Sequence, residues 1–329
     1  MKVEQNKIDA LNIELSIMIA ADDYAQAEKK KLADRRRTAE FKGFRKGMVP
    51  ASLIQKIYGE QCLVDAVNDV ITSELDKFIT DNNLHILGEP LGSEKQPEIE
   101  WKSGNDFTFL FDIALSPEVA VEVEAGDTVP QYSITLTAKD KAPMIESLKK
   151  YYEEKKEEKS DEDIEKEVTE RMKEQYRQEA DWRLSKDIKD FYITKSGVQL
   201  PEDFLKRWLF VANQGKVTKE DIEKDFGGFA EDFKWQLVRG FLMKKNGFEI
   251  TEDDVHEAAK AYVTYQYAMY GLGNVPEDMI QEAVVNILKD QKQVDRLAEQ
   301  VEDQKVITKI KETITLKATK IGAAKFREL

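Results

Sequence analysis

The sequence predicts an α+β N-terminal domain, with helices on a small antiparallel sheet, followed by an all-α C-terminal domain built from helical arms. Three observations carry this. Two stretches in the first 115 residues alternate apolar and polar side chains, the period of a strand with one buried face. After Pro143 the apolar residues recur three and four apart, as on an amphipathic helix. Charged residues make up 35% of a 329-residue chain with only 16 glycines and 8 prolines, a balance that suits long solvated helices.

The first strand is "LNIELSIMI", with Leu11, Ile13, Leu15, Ile17 and Ile19 on one face. Asp22 and Asp23 mark the start of a helix that runs toward Arg37. A second helix follows Pro50, with apolar residues at Leu63, Val67, Val70, Ile71, Leu75 and Phe78. Pro90 and Gly92 mark a turn, and Phe107, Phe109, Phe111, Ile113 and Leu115 form the second strand. Residues 1–115 therefore read as one domain. Residues 116–150 read as an extended connector, with a short alternating run at Tyr132, Ile134 and Leu136.

Residues 151–329 read as the helical domain. The charged stretch "YYEEKKEEKSDEDIEKEV" is either a solvated helix or a loose loop. Ile164, Val168, Met172, Tyr176, Ala180, Leu184 and Ile188 then give one long helix, ended by Gly197. Pro201 and Pro276 open helices, and Thr218 with Asp221 and Thr251 with Asp254 fit capping pairs. The last helix runs from Val294 to about Leu316, and the tail "GAAKFREL" reads as loosely ordered.

Several chemistries find no support. Cys62 is the sole cysteine, so no internal disulfide forms, which fits a reducing compartment. The N-terminus lacks a signal-peptide pattern, and no apolar run reaches the roughly 18 residues of a membrane span. The expectation is a soluble, cytoplasmic protein with no membrane partner. His85 and His256 have no other ligand residue at metal spacing, so neither metal nor cofactor is expected. "FGGF" at 226–229 lacks the lysine and the strand of a phosphate loop. Cys62 lies in an apolar helical pattern and reads as a packed residue rather than a nucleophile.

The sharpest local feature is "EFKGFRKGMVP", residues 40–50. Gly43 and Gly47 permit turns that other residues reach only with strain, and Pro50 fits the entry to the next helix. The result is a helix–loop–helix hairpin with Phe44, Arg45 and Lys46 at its tip. Residues 29–56 hold ten basic and two acidic side chains, a net +8 in a chain of −14, which leaves −22 elsewhere. A concentrated positive tip suits docking on a polyanion such as structured RNA. The bland alternative is a hairpin whose Phe44 folds into its own core.

"GFRKGMVP" resembles the G-F-R-x-G-x-x-P signature of the trigger factor family, bacterial ribosome-associated chaperones, at Gly43, Phe44, Arg45, Gly47 and Pro50. Weaker similarity continues through "SLIQKIYGEQCLVDAVNDVI", "ILGEP", "DFTFLFDIALSPEV", "QLPEDFLKRWL", "GFEITEDDVHEAAKAY" and "VPEDMIQEAVVNIL". The resemblance implies a loop that binds the large ribosomal subunit beside the exit tunnel. Phe44, Arg45 and Lys46 would meet a ribosomal protein and nearby ribosomal RNA. Lys42 stands where many members have proline. The family's FKBP-like prolyl isomerase domain has no counterpart here, since no strand-rich block follows Leu136.

The resemblance also implies a client surface on the helical half. Candidate contacts are Phe204, Trp208, Phe229, Phe233, Tyr262, Tyr265, Tyr267, Met269 and Tyr270. The tyrosines of "YVTYQYAMYG" lie on more than one face of a helix, so some should stay outside the core. The leading expectation is an ATP-independent chaperone that docks on the ribosome, holds nascent or unfolded polypeptides, and self-associates weakly as a homodimer. The alternatives are a prolyl isomerase with a reduced or cryptic site, and a ribosome-independent holdase or assembly chaperone.

Overall fold

The structure is a computed structural model that describes residues 1–214 and 216–329. The chain divides into two compact units. One comprises Met1–Glu118 with Gln199–Ala230, the other Val119–Val198 with Glu231–Leu329.

The first unit opens with strands β1 (Lys2–Lys7) and β2 (Asn12–Ile19), then helices α1 (Ala21–Thr38) and α2 (Ala51–Asp81). Strands β3 (Leu91–Gly92) and β4 (Phe107–Ala114) complete an antiparallel sheet of order β1-β2-β4-β3. The alternation in the sequence sets its register, with Ile13 opposite Ile113 and Ile17 opposite Phe109. Ile13, Leu15, Ile17 and Ile19 are sealed from solvent. They share a core with Phe107, Phe109 and Ile113 of β4 and Leu63, Val67, Ile71 and Leu75 of α2. β1 was invisible to the period-two reading, because "KVEQNK" carries one apolar residue. Its polar, lysine-ended sequence is the chemistry of a protected sheet edge.

The second unit begins with β5 (Thr128–Thr135), α3 (Ala138–Lys155) and α4 (Asp161–Ser196). The charged stretch is thus resolved as the end of α3, a short turn and the start of α4. Ser160 caps α4 by accepting from the Asp163 N–H at 3.1 Å, and Gly197 ends it at φ 61°. The buried residues of α4 fall at every fourth position from Ile164 to Tyr192. Because an α-helix turns about 100° per residue, each step of four rotates the stripe by about 40°. Over seven steps the stripe winds about 280°, so the two ends of α4 face different cores. Ile164 to Ala180 pack with Tyr152 and Phe326, whereas Leu184, Ile188 and Tyr192 pack with Trp235, Val238, Ile307 and Ile310.

Helix α5 (Glu202–Ala212) lies in the first unit, although its helical period had placed it in the C-terminal domain. The reason is its docking on β4. Arg207 donates to Asp112 at 2.7 Å and to the Gly92 carbonyl at 3.0 Å. Trp208 lies against Gly88, where an added Cβ would stand 2.8 Å from the indole. Periodicity reports a helix but not the core it joins. The connector likewise divides, since residues from Val119 onward cluster with the second unit and its end is helix α3.

The remaining elements are α6 (Lys219–Asn246), α7 (Glu252–Met269), α8 (Glu277–Ile287), α9 (Gln291–Thr313), β6 (Thr315–Gly322) and α10 (Ala323–Phe326). Both capping pairs form, with the Thr218 and Thr251 hydroxyls accepting from the N–H groups of Asp221 and Asp254. The all-helical reading fails at the end of the chain. Thr315–Gly322 is a strand parallel to β5, and the tail read as loose is helix α10, with Ala323 and Phe326 buried. "TLKATKIG" is lysine-rich and short, so its strand character comes from its partner rather than from its own pattern.

Asp303 of α9 organises the second unit's largest core. It accepts from Lys189 at 2.5 Å, from the Trp235 indole at 2.7 Å and from Arg239 at 2.9 Å. Burial pushes its carboxyl upward, but the bonds from Lys189, Arg239 and Trp235 outweigh burial and hold it below the ordinary 3.8. A depressed carboxylate stabilises the fold above its unfolded pKa, and that stability is lost as pH falls through the folded value. Asp303→Asn is expected to lower unfolding free energy at neutral pH by about 1–3 kcal/mol, chiefly from leaving Lys189 without its carboxylate, while Arg239 keeps Glu302 at 3.0 Å. Urea titrations across pH check this. The gap between variant and native protein should close as pH falls below 3.8.

Candidate functional site: the basic helix hairpin

Helices α1 and α2 are joined by residues 39–50, and the geometry of this link follows from two glycines. The Phe44 N–H donates to the Phe41 carbonyl at 3.0 Å, and the Met48 N–H donates to the Arg45 carbonyl at 2.9 Å. These are two successive four-residue turns, "FKGF" and "RKGM". Gly43 (φ 94°) and Gly47 (φ 80°) each occupy the third position, which demands a positive φ in a type II turn. The sequence reading recognised the glycines but not that the motif is one turn written twice.

The base of the loop is fixed by the flanking helices. Arg36 Nε donates to the Val49 carbonyl at 2.8 Å, and Val49 itself is fully buried. Pro50 is the N-cap of α2, and its carbonyl accepts from the Leu53 and Ile54 N–H groups at 3.0 and 3.2 Å. Phe41 meets Tyr58 edge-on at 6.3 Å, and the Arg35 guanidinium lies 5.6 Å from the same Tyr58 ring. The aromatic that anchors the loop is therefore Phe41, and Phe44 is left at the tip, 44% exposed. Arg45 and Lys46 are exposed beside it, with Lys46 paired to Glu40 at 3.3 Å.

All six residues singled out in the sequence, Gly43, Phe44, Arg45, Lys46, Gly47 and Pro50, thus fall in one rigidly based loop. Sequence reasoning missed Arg36, which ties the loop to α1, and the exposed apolar pair Met48 and Ile57. Met48 takes in the second turn the place Phe44 takes in the first, and that repetition was the available signal. Cys62 is buried in α2, and burial raises its thiol, which removes it as a ready nucleophile. Among the described residues no group of three or more His, Cys, Asp or Glu side chains could hold a metal ion.

The nine candidate client residues separate into distinct environments. Phe204 is in the interior of the first unit, which removes it as a surface contact. Trp208 is half-buried against Gly88. Phe229 is half-buried with its ring 5.8 Å from Phe226, and Phe233 is half-buried in α6. Tyr267 packs against the core formed by Ala259, Val263, Ile280, Val284 and Leu297. Tyr262, Tyr265, Met269 and Tyr270 are exposed, Tyr270 to 82%, and Leu272 and Met279 add to this set. The inward face of α7 is filled by Ala259 and Val263 with Tyr267 at its edge, while Tyr262 and Tyr265 stay outside that core.

The first unit is thus α+β and carries a cationic loop set on two glycine turns, and the second is largely helical and exposes aromatic and methionine side chains. Two family sequence models match this chain. One, described as bacterial trigger factor protein, covers residues 1–171, and the other, described as probable trigger factor, C-terminal domain, covers 180–329. The chain belongs to the trigger factor family. A trigger factor of Coxiella burnetii (strain CbuK_Q154) is 29% identical over 151 residues, 46% of this chain and 33% of that protein. One from Francisella tularensis subsp. novicida (strain U112) is 28% identical over 152 residues, 46% of this chain and 34% of that protein. The matches therefore span about a third of those relatives' length. A solved chain, from work on promiscuous substrate recognition in folding and assembly activities of the trigger factor chaperone, aligns over 95% of this chain and 99% of its own. The TM-score is 0.58 at 12% identity, a likeness of fold.

A turn glycine and a helix glycine make a test of opposite signs. A methyl group at Gly47 would meet only the Arg37 carbonyl oxygen, at an ordinary 4.0 Å, and one at Gly228 of α6 meets open space. Only Gly47 has a positive φ. Gly47→Ala is expected to destabilise the first unit by about 1–2 kcal/mol through backbone strain. Gly228→Ala should stabilise by about 0.5–1 kcal/mol through helix propensity. Thermal melts of the two variants beside the native protein check both signs.

Proposed function

We propose that this protein is an ATP-independent molecular chaperone. It docks on the large ribosomal subunit near the exit tunnel through the loop of residues 40–50, and it holds nascent or unfolded polypeptides on its helical surfaces. The observation that carries this reading is the loop tip. Phe44, Arg45 and Lys46 are presented to solvent on two glycine turns while Phe41 and Val49 provide the anchoring. An apolar ring flanked by cations fits a protein crevice bordered by phosphates. The net +8 of residues 29–56 supplies the attraction to ribosomal RNA, and the −22 elsewhere keeps the rest of the chain off it.

Holding requires exposed apolar groups that bind weakly and release readily. Tyr262, Tyr265, Met269 and Tyr270 fit that need, as aromatic and flexible groups set among charges. The two family models leave only residues 172–179 unmatched, all inside α4. That supports a chaperone that works here without an inserted isomerase domain.

Ribosome co-sedimentation at moderate salt tests the docking. The native protein is expected to pellet, and a variant with Phe44→Ala, Arg45→Ala and Lys46→Ala to stay in the supernatant. Loss of two cations should also flatten the salt dependence by roughly 1–2 phosphate contacts. Equal behaviour of the two proteins overturns the docking role. In a separate assay with a short X-Pro peptide, isomerisation is expected to run at the uncatalysed rate. Turnover above it would favour the isomerase alternative.

A further inference from the structure

In the two-stranded parallel sheet of β5 and β6, the outward main-chain groups of β5 meet no hydrogen-bond partner among the described residues. The Thr315 N–H donates to the Asp127 carbonyl at 2.9 Å, and the register pairs Thr128 with Thr315. In a parallel ladder this directs the N–H and C=O groups of Val129, Gln131 and Ser133 toward β6. Those of Pro130, Tyr132 and Ile134 point away. Pro130, which has no N–H to offer, stands at one of the outward positions, where it costs no ladder bond. No hydrogen-bond partner among the described residues meets the outward groups of Tyr132 and Ile134.

A groove of about 350 Å³ runs along this strand. Gln131 to Ile134 and Leu136 line it from the β5 side, and Ala318 of β6, the register partner of Gln131, also reaches it. Tyr176 and Ala180 of α4 form apolar wall opposite. The charged residues facing the groove are Lys173, Arg177 and Asp181. They are already satisfied: Lys173 pairs with Glu170 at 3.1 Å, and Arg177 pairs with Glu174 at 2.7 Å and Asp181 at 3.2 Å. The groove therefore selects no charge. What it offers is main-chain donors and acceptors in strand order beside an apolar wall.

We propose that the outer edge of β5 takes up an extended segment of an unfolded polypeptide as a third strand. Main-chain pairing reads no side-chain sequence, and an unfolded chain is the partner that carries free main-chain groups. The opposite edge is guarded, because Lys320 stands at an outward position of β6. The outward positions Pro130, Tyr132 and Ile134 of β5 carry no such charge. A two-stranded sheet is marginal by itself, so a third strand adds to its stability. This inference rests on the holding role proposed above and assigns it a main-chain site.

Amide hydrogen exchange on the full chain, with and without reduced, carboxymethylated α-lactalbumin, tests the proposal. The Tyr132 and Ile134 amides are expected to slow about tenfold or more on binding, while Gln131 and Ser133, already in the ladder, stay unchanged. Binding of the probe with both outward amides unaffected overturns the edge site and leaves the holding role intact. Absence of binding overturns both. Slowing that depends on protein concentration without the probe shows that a second copy takes the edge, and overturns the assigned occupant. In parallel, Ile134→Pro removes an outward N–H without removing a ladder bond, and Ile134→Ala controls for the lost side chain. Ile134→Pro is expected to weaken probe binding about fivefold more than Ile134→Ala, the worth of one main-chain hydrogen bond. Equal weakening overturns the proposal.

Discussion

Helix α4 has to satisfy two cores at once, and the second unit is organised around that demand. A stripe repeating every 3.6 residues would face one neighbour along its whole length. The strict four-residue spacing from Ile164 to Tyr192 makes the stripe wind, and so carries one helix from the core of α3 and α10 to the core of α6 and α9. Most of the other positions of α4 are charged, and near-neighbour pairs such as Arg177–Glu174 and Arg183–Asp187 tie charges together along the helix. At the far end Tyr192 donates to Asp127 at 2.8 Å, and Lys195 binds the same carboxylate at 2.7 Å. These bonds hold the turn before β5 and so fix where the small sheet begins.

The first unit solves a different problem, which is to hold a small charged loop still. Loops usually gain mobility from glycine, but Gly43 and Gly47 each serve one defined turn here. Arg36 closes the loop at its base, and Val49 and Phe41 pin its two ends. Little ordering is left to be done in the docking proposed for this loop, which would spare the entropy that a flexible basic tail loses.

What was legible in the sequence divides along physical lines. β2 and β4 were read correctly because one-sided burial writes a period of two, and α4 because its buried positions repeat at four. The loop was legible because positive φ writes glycine. β1 and β6 were not, since their pairing partners rather than their own side chains make them strands. The place of α5 was hidden for a related reason. Arg207 and Trp208 seek Asp112 and Gly88, about a hundred residues away in sequence, and no local pattern records such a contact. Phe204 was misplaced for the same reason, because burial depends on the partner surface and not on residue type alone.

The pairing of β5 with β6 sets a timetable for the protein's own birth. Strand β6 begins 180 residues after β5 ends, and α10 follows almost at the chain terminus. At about 5–20 residues per second of synthesis, β5 waits on the order of ten seconds or more for its neighbour. The segments of the first unit, by contrast, are all synthesised once Ala230 has been added. Translation thus delivers the unit with the basic loop before the second unit can close. For that interval the newly made chain carries an unsatisfied strand, the same condition in which the polypeptides it is proposed to hold would reach it.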